Sequence, residues 1–135
     1  ARVIPQEGKP NRKEYQVTAE GRSELRRWLV TPLPMDPVRE ACLIQIFFSH
    51  FSTNEEIAML FETRMKEIRE QLQILRTSAQ AAINENAMQI GIERARQLWQ
   101  ITLDYGIDYY EFELKWHEKT LETIRNLPPL MPPSQ

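Results

Sequence analysis

Lys9, Asn11, Arg12 and Lys13 stand within five consecutive positions near the start of a 135-residue chain. Three cations this close, set among Gly8, Pro10 and Asn11, form a basic turn that can neutralise phosphates and release their counterions. The Asn11 carboxamide adds a donor and an acceptor for a phosphate or a base edge. The wider charge distribution agrees. Residues 1–27 hold seven Lys and Arg against four Glu, a local excess of three positive charges, whereas the whole chain is at −2, so the remainder lies near −5. A basic head precedes an acidic body.

Other chemistries are poorly served. Cys42 is the lone cysteine and has no partner for an internal disulfide; with only His50 and His117 beside it, no closely spaced ligand set exists, and neither a metal nor another cofactor is expected. Glu111, Glu113 and Glu118 read as a solvated helix face rather than a catalytic set. There is no Gly-rich phosphate loop, nucleophile elbow or Ser/His/Asp grouping at a supporting spacing, so the chain is not expected to be an enzyme. Nor does any run approach the roughly 20 apolar residues needed to cross a bilayer. A cytoplasmic protein without a membrane partner is expected.

The elements that would carry the basic turn are a hairpin and a helix. Val3 to Pro5 and Lys13 to Thr18 read as strands, the second alternating Tyr15 and Val17 against polar residues. Gly8, Pro10 and Asn11 supply turn chemistry. Thr18 then reads as a helix N-cap with Glu20 in the first turn; Leu25, Trp28 and Leu29 share a face, and Pro32 and Pro34 end the helix. Gly21, near that helix start, allows a close approach.

The acidic body reads as long helices. Asp36 and Pro37 restart a helix whose Leu43, Ile44, Ile46, Phe47, Phe48 and Phe51 cover nearly its whole circumference, which requires burial on most sides. Ser52 and Thr53 cap the next helix, with Glu55 and Glu56 at capping-box spacing. Along it Phe61, Met65, Ile68, Leu72, Leu75, Ala79 and Ala82 recur at alternating intervals of four and three. The stretch around Asn84, Glu85 and Asn86 is expected to loosen or break it. A last helix, from about Gln89 to Leu127, repeats the spacing at Leu103, Ile107, Tyr110, Leu114, His117, Leu121 and Ile124, with Gly106 inside it for close packing. The two seams can pair with each other as a hairpin, but their combined length suggests a second copy. A homodimer interface is therefore expected at Phe61, Met65, Ile68, Leu72, Leu103, Ile107, Tyr110, Leu114, His117 and Leu121.

The run GKPNRKEYQVTAEGRSELRRWL resembles the wing and following helix of PadR-like winged-helix transcriptional regulators, whose Thr-x-x-Gly-x-x-x-Leu-x-x-Trp pattern falls on Thr18, Gly21, Leu25 and Trp28. PVREACLIQIFFSHF and YGIDYYEFELKWHEKTLETI resemble the first and last helices of that family's C-terminal dimerisation domain. The resemblance implies a mainly α fold, with a partial winged-helix hairpin followed by a long-helix dimerisation domain. Residues 1–31 form the wing and its helix, 36–127 the dimerisation domain and 128–135 a Pro-rich tail. It further implies a dimeric repressor that binds a double-stranded DNA operator and answers to a small aromatic effector. Candidate effector contacts are Trp28, Trp99, Tyr105 and Tyr109. The family's three helices before the wing have no counterpart, so the chain reads as a C-terminal fragment of a longer regulator. The competing reading is a helical protein–protein interaction module without DNA binding.

Overall fold

A computed structural model describes residues 2–8, 10 and 12–131. The chain divides into two compact units, Ala1–Arg39 and Glu40–Gln135.

In the first unit, β1 (Arg2–Ile4) and β2 (Arg12–Glu14) form an antiparallel ribbon in the register Arg2↔Glu14, Val3↔Lys13 and Ile4↔Arg12. Gly8 holds φ at +72° in the connection, a backbone setting that an L side chain adopts only with strain. The second strand is shorter than its alternation predicts. Among the described residues the ladder runs from Ile4↔Arg12 to Arg2↔Glu14, and Tyr15 and Val17 are exposed. Helix α1 (Ala19–Leu29) starts as expected: the Gly21 N–H donates to Thr18 Oγ1 at 3.0 Å, and Glu20 lies in the first turn. Gly21 also makes room for its own cap, since a Cβ there would come within 3.2 Å of Thr18 Oγ1 and Val17 Cγ1.

The second unit begins later than the Asp36–Pro37 pair suggests. Proline permits a helix start without imposing one, and helix α2 (Ala41–Phe47) takes Glu40 as its N-cap instead. A 3₁₀ turn, Ser49–Phe51, follows. The burial expected around α2 is not found among the described residues of the second unit. Leu43, Ile44, Phe47, Phe48 and Phe51 are exposed, and Ile46 is the α2 side chain packed against the core.

Helix α3 (Asn54–Ile74) opens on a full capping box, with the Glu56 N–H donating to Thr53 Oγ1 at 3.2 Å and the Thr53 N–H to Glu56 Oε2 at 2.8 Å. It runs through a π turn at Leu75–Ala79 into α4 (Gln80–Ile90). The stretch Asn84–Asn86 stays helical. The break falls at Gly91, whose φ of +68° closes α4 in the left-handed conformation. Helix α5 (Glu93–Arg125) then returns antiparallel along α4 and α3, starting past the expected Gln89 because Gly91 and Ile92 make the turn.

The core follows the two seams. Ile57, Ala58, Phe61 and Met65 of α3 cluster with Leu121 and Ile124 of α5, and Leu114 and Trp116 pack against them. Ile68, Leu72, Leu103 and His117 are buried as well. The π turn alters the phase beyond Ala79: Ala82, placed on the seam by its spacing, is exposed, and Ile83 is half-buried in its stead. Polar ties flank the seam. Arg125 pairs with Glu62 at 2.7 Å, Arg69 with Glu118 at 3.4 Å, Arg76 with Glu111, and the Gln80 and Gln100 amides bond reciprocally at 2.7 and 3.0 Å. Exposed pairs of this kind contribute about 0–1 kcal/mol each. The apolar seam therefore holds the hairpin together.

Glu113 departs from the solvated face on which it was placed. It is 8% exposed, one turn before the fully buried His117, whose Nδ1 lies 2.7 Å from the Glu113 backbone oxygen. Glu111 and Glu118 do face outward, each paired with an arginine of the neighbouring helix run.

Candidate nucleic-acid interface

Of the four candidate phosphate-binding residues, Arg12 and Lys13 lie on β2, while Lys9 and Asn11 fall outside the described residues. Side chains alternate across a ribbon, so Arg12 and Lys13 occupy opposite faces. Arg12 shares its face with Glu14, to which it pairs at 3.4 Å. Part of its charge is thereby met inside the hairpin. Lys13, opposite Val3, enters no ion pair among the described residues. It offers its ammonium as a compact point charge.

Helix α1 adds cations that the turn-centred reading missed. Arg22 and Arg26 are one helical turn apart, a like-charge i,i+4 arrangement that costs an isolated helix a few tenths of a kcal/mol and that a polyanion would relieve. Arg22 reaches the Val17 carbonyl at 3.5 Å, and Arg27 is occupied by Glu24 at 3.0 Å. The mutual bonds draw Arg27 upward from its ordinary pKa. The i,i+4 spacing was the available signal.

All ten candidate interface residues lie on α3 or α5. Phe61, Met65, Ile68, Leu72, Leu103, His117 and Leu121 are buried, and Ile107, Tyr110 and Leu114 half-buried, within a single chain. Phe61 stands 5.1 Å from the His117 ring, centre to centre. The face of α5 left open is another one. Leu98, Ile101, Tyr105 and Phe112 are exposed, and at about 100° per residue they fall on the side of the helix away from the seam. Their intervals of three, four and seven were present in the sequence but were overshadowed by the stronger repeat.

Of the four aromatic candidates, Trp28 belongs to the first unit, and Trp99, Tyr105 and Tyr109 lie on α5 of the second. Trp28 is exposed on α1 of the first unit. Trp99 is half-buried on the seam side of α5, while Tyr105 stands on the open side. Tyr109 donates its hydroxyl hydrogen to Glu40 Oε1 at 3.0 Å and packs edge-on against Tyr110. Burial first, and this bond second, push the Tyr109 phenol up to about 12. At the open end of the hairpin, Ile46, Phe47, Phe51, Ile57, Ile124 and Leu130 line an apolar cavity of about 820 Å³. Among the described residues, no helix is long and apolar enough to cross a membrane.

Residues 38–125 match the family described as Virulence activator alpha C-term. No curated protein matches the sequence. Among solved structures, the chain is similar to Bacillus subtilis PadR in complex with operator DNA, at 22% identity and a TM-score of 0.70, covering 91% of this chain and 68% of that one. It is similar to the PadR-like transcriptional regulator BC1756 from Bacillus cereus, at 23% identity and a TM-score of 0.57, covering 80% of this chain and 60% of that one. A third likeness is to smu.1604c from Streptococcus mutans UA159, at 22% identity and a TM-score of 0.65, covering 90% and 67% respectively. The fold is PadR-like and mainly α, and the alignments span 60–68% of the length of these structures.

Proposed function

This chain belongs to the Virulence activator alpha C-term family, and from that premise we propose that it is part of a DNA-binding transcriptional regulator that works as a homodimer. One observation carries the reading: a basic two-stranded ribbon leads into a Thr-capped helix on a fold that, in the Bacillus subtilis relative, is seen with operator DNA. The ribbon serves as the wing. Lys13, Arg12 and Lys9 meet phosphates, with Arg22 and Arg26 on α1 extending the positive surface. Contacts of this kind fix position on a duplex and read no sequence.

Pairing of two copies sets the spacing of two wings on a two-fold operator. The seam residues from Phe61 to Leu121 are mostly buried within each chain, so they support the dimer from below. The pairing surface consists of the exposed α5 stripe Leu98, Ile101, Tyr105 and Phe112 and the aromatic face of α2. A small aromatic effector acts through the same surface, where Tyr105 is open to contact, and the regulator is a repressor whose wing spacing the effector alters.

Fluorescence anisotropy with a labelled duplex tests the DNA reading. The chain should bind with a salt-dependent affinity, and reversing Arg12 and Lys13 to Glu should lower the slope of log K against log salt by about one per lost phosphate contact. Unchanged binding and slope would instead favour the helical interaction module without DNA. Sedimentation of Phe112→Glu tests the pairing surface: the variant should be monomeric where the parent is dimeric.

A further inference from the structure

Glu40 sits at the N-cap of α2 with extended backbone, φ −95° and ψ 112°, yet its side chain makes no capping hydrogen bond. A carboxylate in that position is well placed to accept from the free N–H groups of its own helix. It is engaged elsewhere. Tyr109, 69 residues away on α5, donates to Glu40 Oε1 at 3.0 Å. The phenol, held near 12, remains a donor across the physiological range.

The rest of α2 is thinly attached. No residue of the helix is buried, and Ile46 is its one side chain packed against the core cluster. Between α2 and α3 lies a cavity of about 290 Å³, walled by Cys42, Gln45 and Ile46 on one side and by Leu60, Phe61 and Arg64 on the other. Side chains that line a void lose the dispersion contacts that would otherwise hold the two helices together. The helix is thus held mainly by a polar tie at its start and an apolar one near its end.

We propose that α2 is a detachable arm latched to the α3–α5 hairpin by the Tyr109–Glu40 hydrogen bond, and that opening this latch releases the arm while the hairpin stays folded. Release uncovers the α3 face at Leu60 and Phe61 and frees Leu43, Ile44 and Phe47 to move as a unit. It makes access to the apolar end of the hairpin a property that one hydrogen bond controls. This inference does not rest on the basic ribbon or on α1, since every residue in it belongs to the helical unit, and it would bear on the pairing surface through the aromatic face of α2.

Cys42 is the only thiol in the chain, is half-buried and lines the cavity beneath α2, so it reports on the arm directly. Its rate of reaction with Ellman's reagent should rise on the order of tenfold in Tyr109→Phe and in Glu40→Ala, the scale set by loss of one hydrogen bond to a charged group. Glu40→Gln, whose amide oxygen still accepts from the phenol, should react near the parent rate. The tryptophan band of the near-ultraviolet circular dichroism, to which Trp116 in the hairpin core contributes, should be retained in all three. Rates within twofold of the parent in both Tyr109→Phe and Glu40→Ala would overturn the latch. So would acceleration accompanied by loss of that tryptophan band, which would mean general unfolding. If Tyr109→Phe does not fold, Glu40→Ala against Glu40→Gln decides the question alone.

Discussion

Substitution of Gly106 by Ala tests whether the seam face of α5 is filled from within one chain. Gly106 lies inside a 33-residue helix, where glycine costs about 0.5–1 kcal/mol relative to alanine because it loses more backbone freedom on folding. The cost would be retained if a neighbour needed the space. A Cβ at this position, however, would meet only the Leu75 Cδ1 within 4 Å, at 3.4 Å, an ordinary van der Waals distance. No clash offsets the backbone gain, and the added methyl joins a half-buried site. The expected result is stabilisation by about 1 kcal/mol. Urea denaturation followed by circular dichroism, at one fixed protein concentration for both proteins, should show the midpoint rising by a few tenths of a molar with an unchanged slope, given slopes of about 1–3 kcal/mol/M. A fall in the midpoint would refute the reasoning. It would mean that something comes closer to Gly106 than Leu75 does, and a second copy pressed against this face would do so.

Three further outcomes follow from the same structure. Gly91→Ala should move the midpoint the other way, by about 1–2 kcal/mol, because φ of +68° forces an L side chain into the left-handed region. Phe61→Ala should cost about 3–5 kcal/mol, since the ring is 2% exposed at the centre of the α3–α5 core, and denaturation would register it as a large loss of midpoint. Tyr109 binds its proton more tightly in the folded chain, at about 12 against the ordinary 10.0, so its contribution to stability is complete below pH 10 and is lost as pH rises toward 12. Absorbance at 295 nm should show a tyrosine step near pH 12, and Tyr109→Phe should remove it.

Much of this architecture could be read from local chemistry. Thr18 and the Thr53–Glu56 pair announce their helices because a cap needs only neighbours within one turn, and both form as their spacing predicts. The two heptad runs also announce each other, since intervals of four and three leave an apolar stripe that must be covered. What covers it is a different matter. The spacing of Phe61, Met65 and Leu121 is compatible with a partner in the same chain or in another copy, and only the Gly91 turn, which folds α5 back along α3, selects the first. Asn84 and Asn86 have poor helix propensity, but their cost of a few tenths of a kcal/mol is small beside the contacts that α4 makes with α5. The α2 segment misled for the opposite reason. Its apolar circumference predicts burial, and the described residues of the second unit do not provide it. At the wing, residue type gave the cations, but strand alternation, which sets Arg12 beside Glu14 and Lys13 on the other face, depends on a register that composition does not reveal.

The π turn at Leu75–Ala79 has a consequence for how this hairpin tolerates changes of length. A wide turn takes up one residue more than regular helix, so it works as a phase adjuster between α3 and α4. Deleting Ser78 would restore an ordinary helical path, and because the wide turn has already absorbed that residue, the segment beyond it would keep the face it presents now. Ala82 would stay exposed, and the Gln80–Gln100 amide pair would keep its alignment. Helices joined in this way can gain or lose a residue at one place while the segments on either side keep their own faces, making the turn an insertion point that the fold already accommodates.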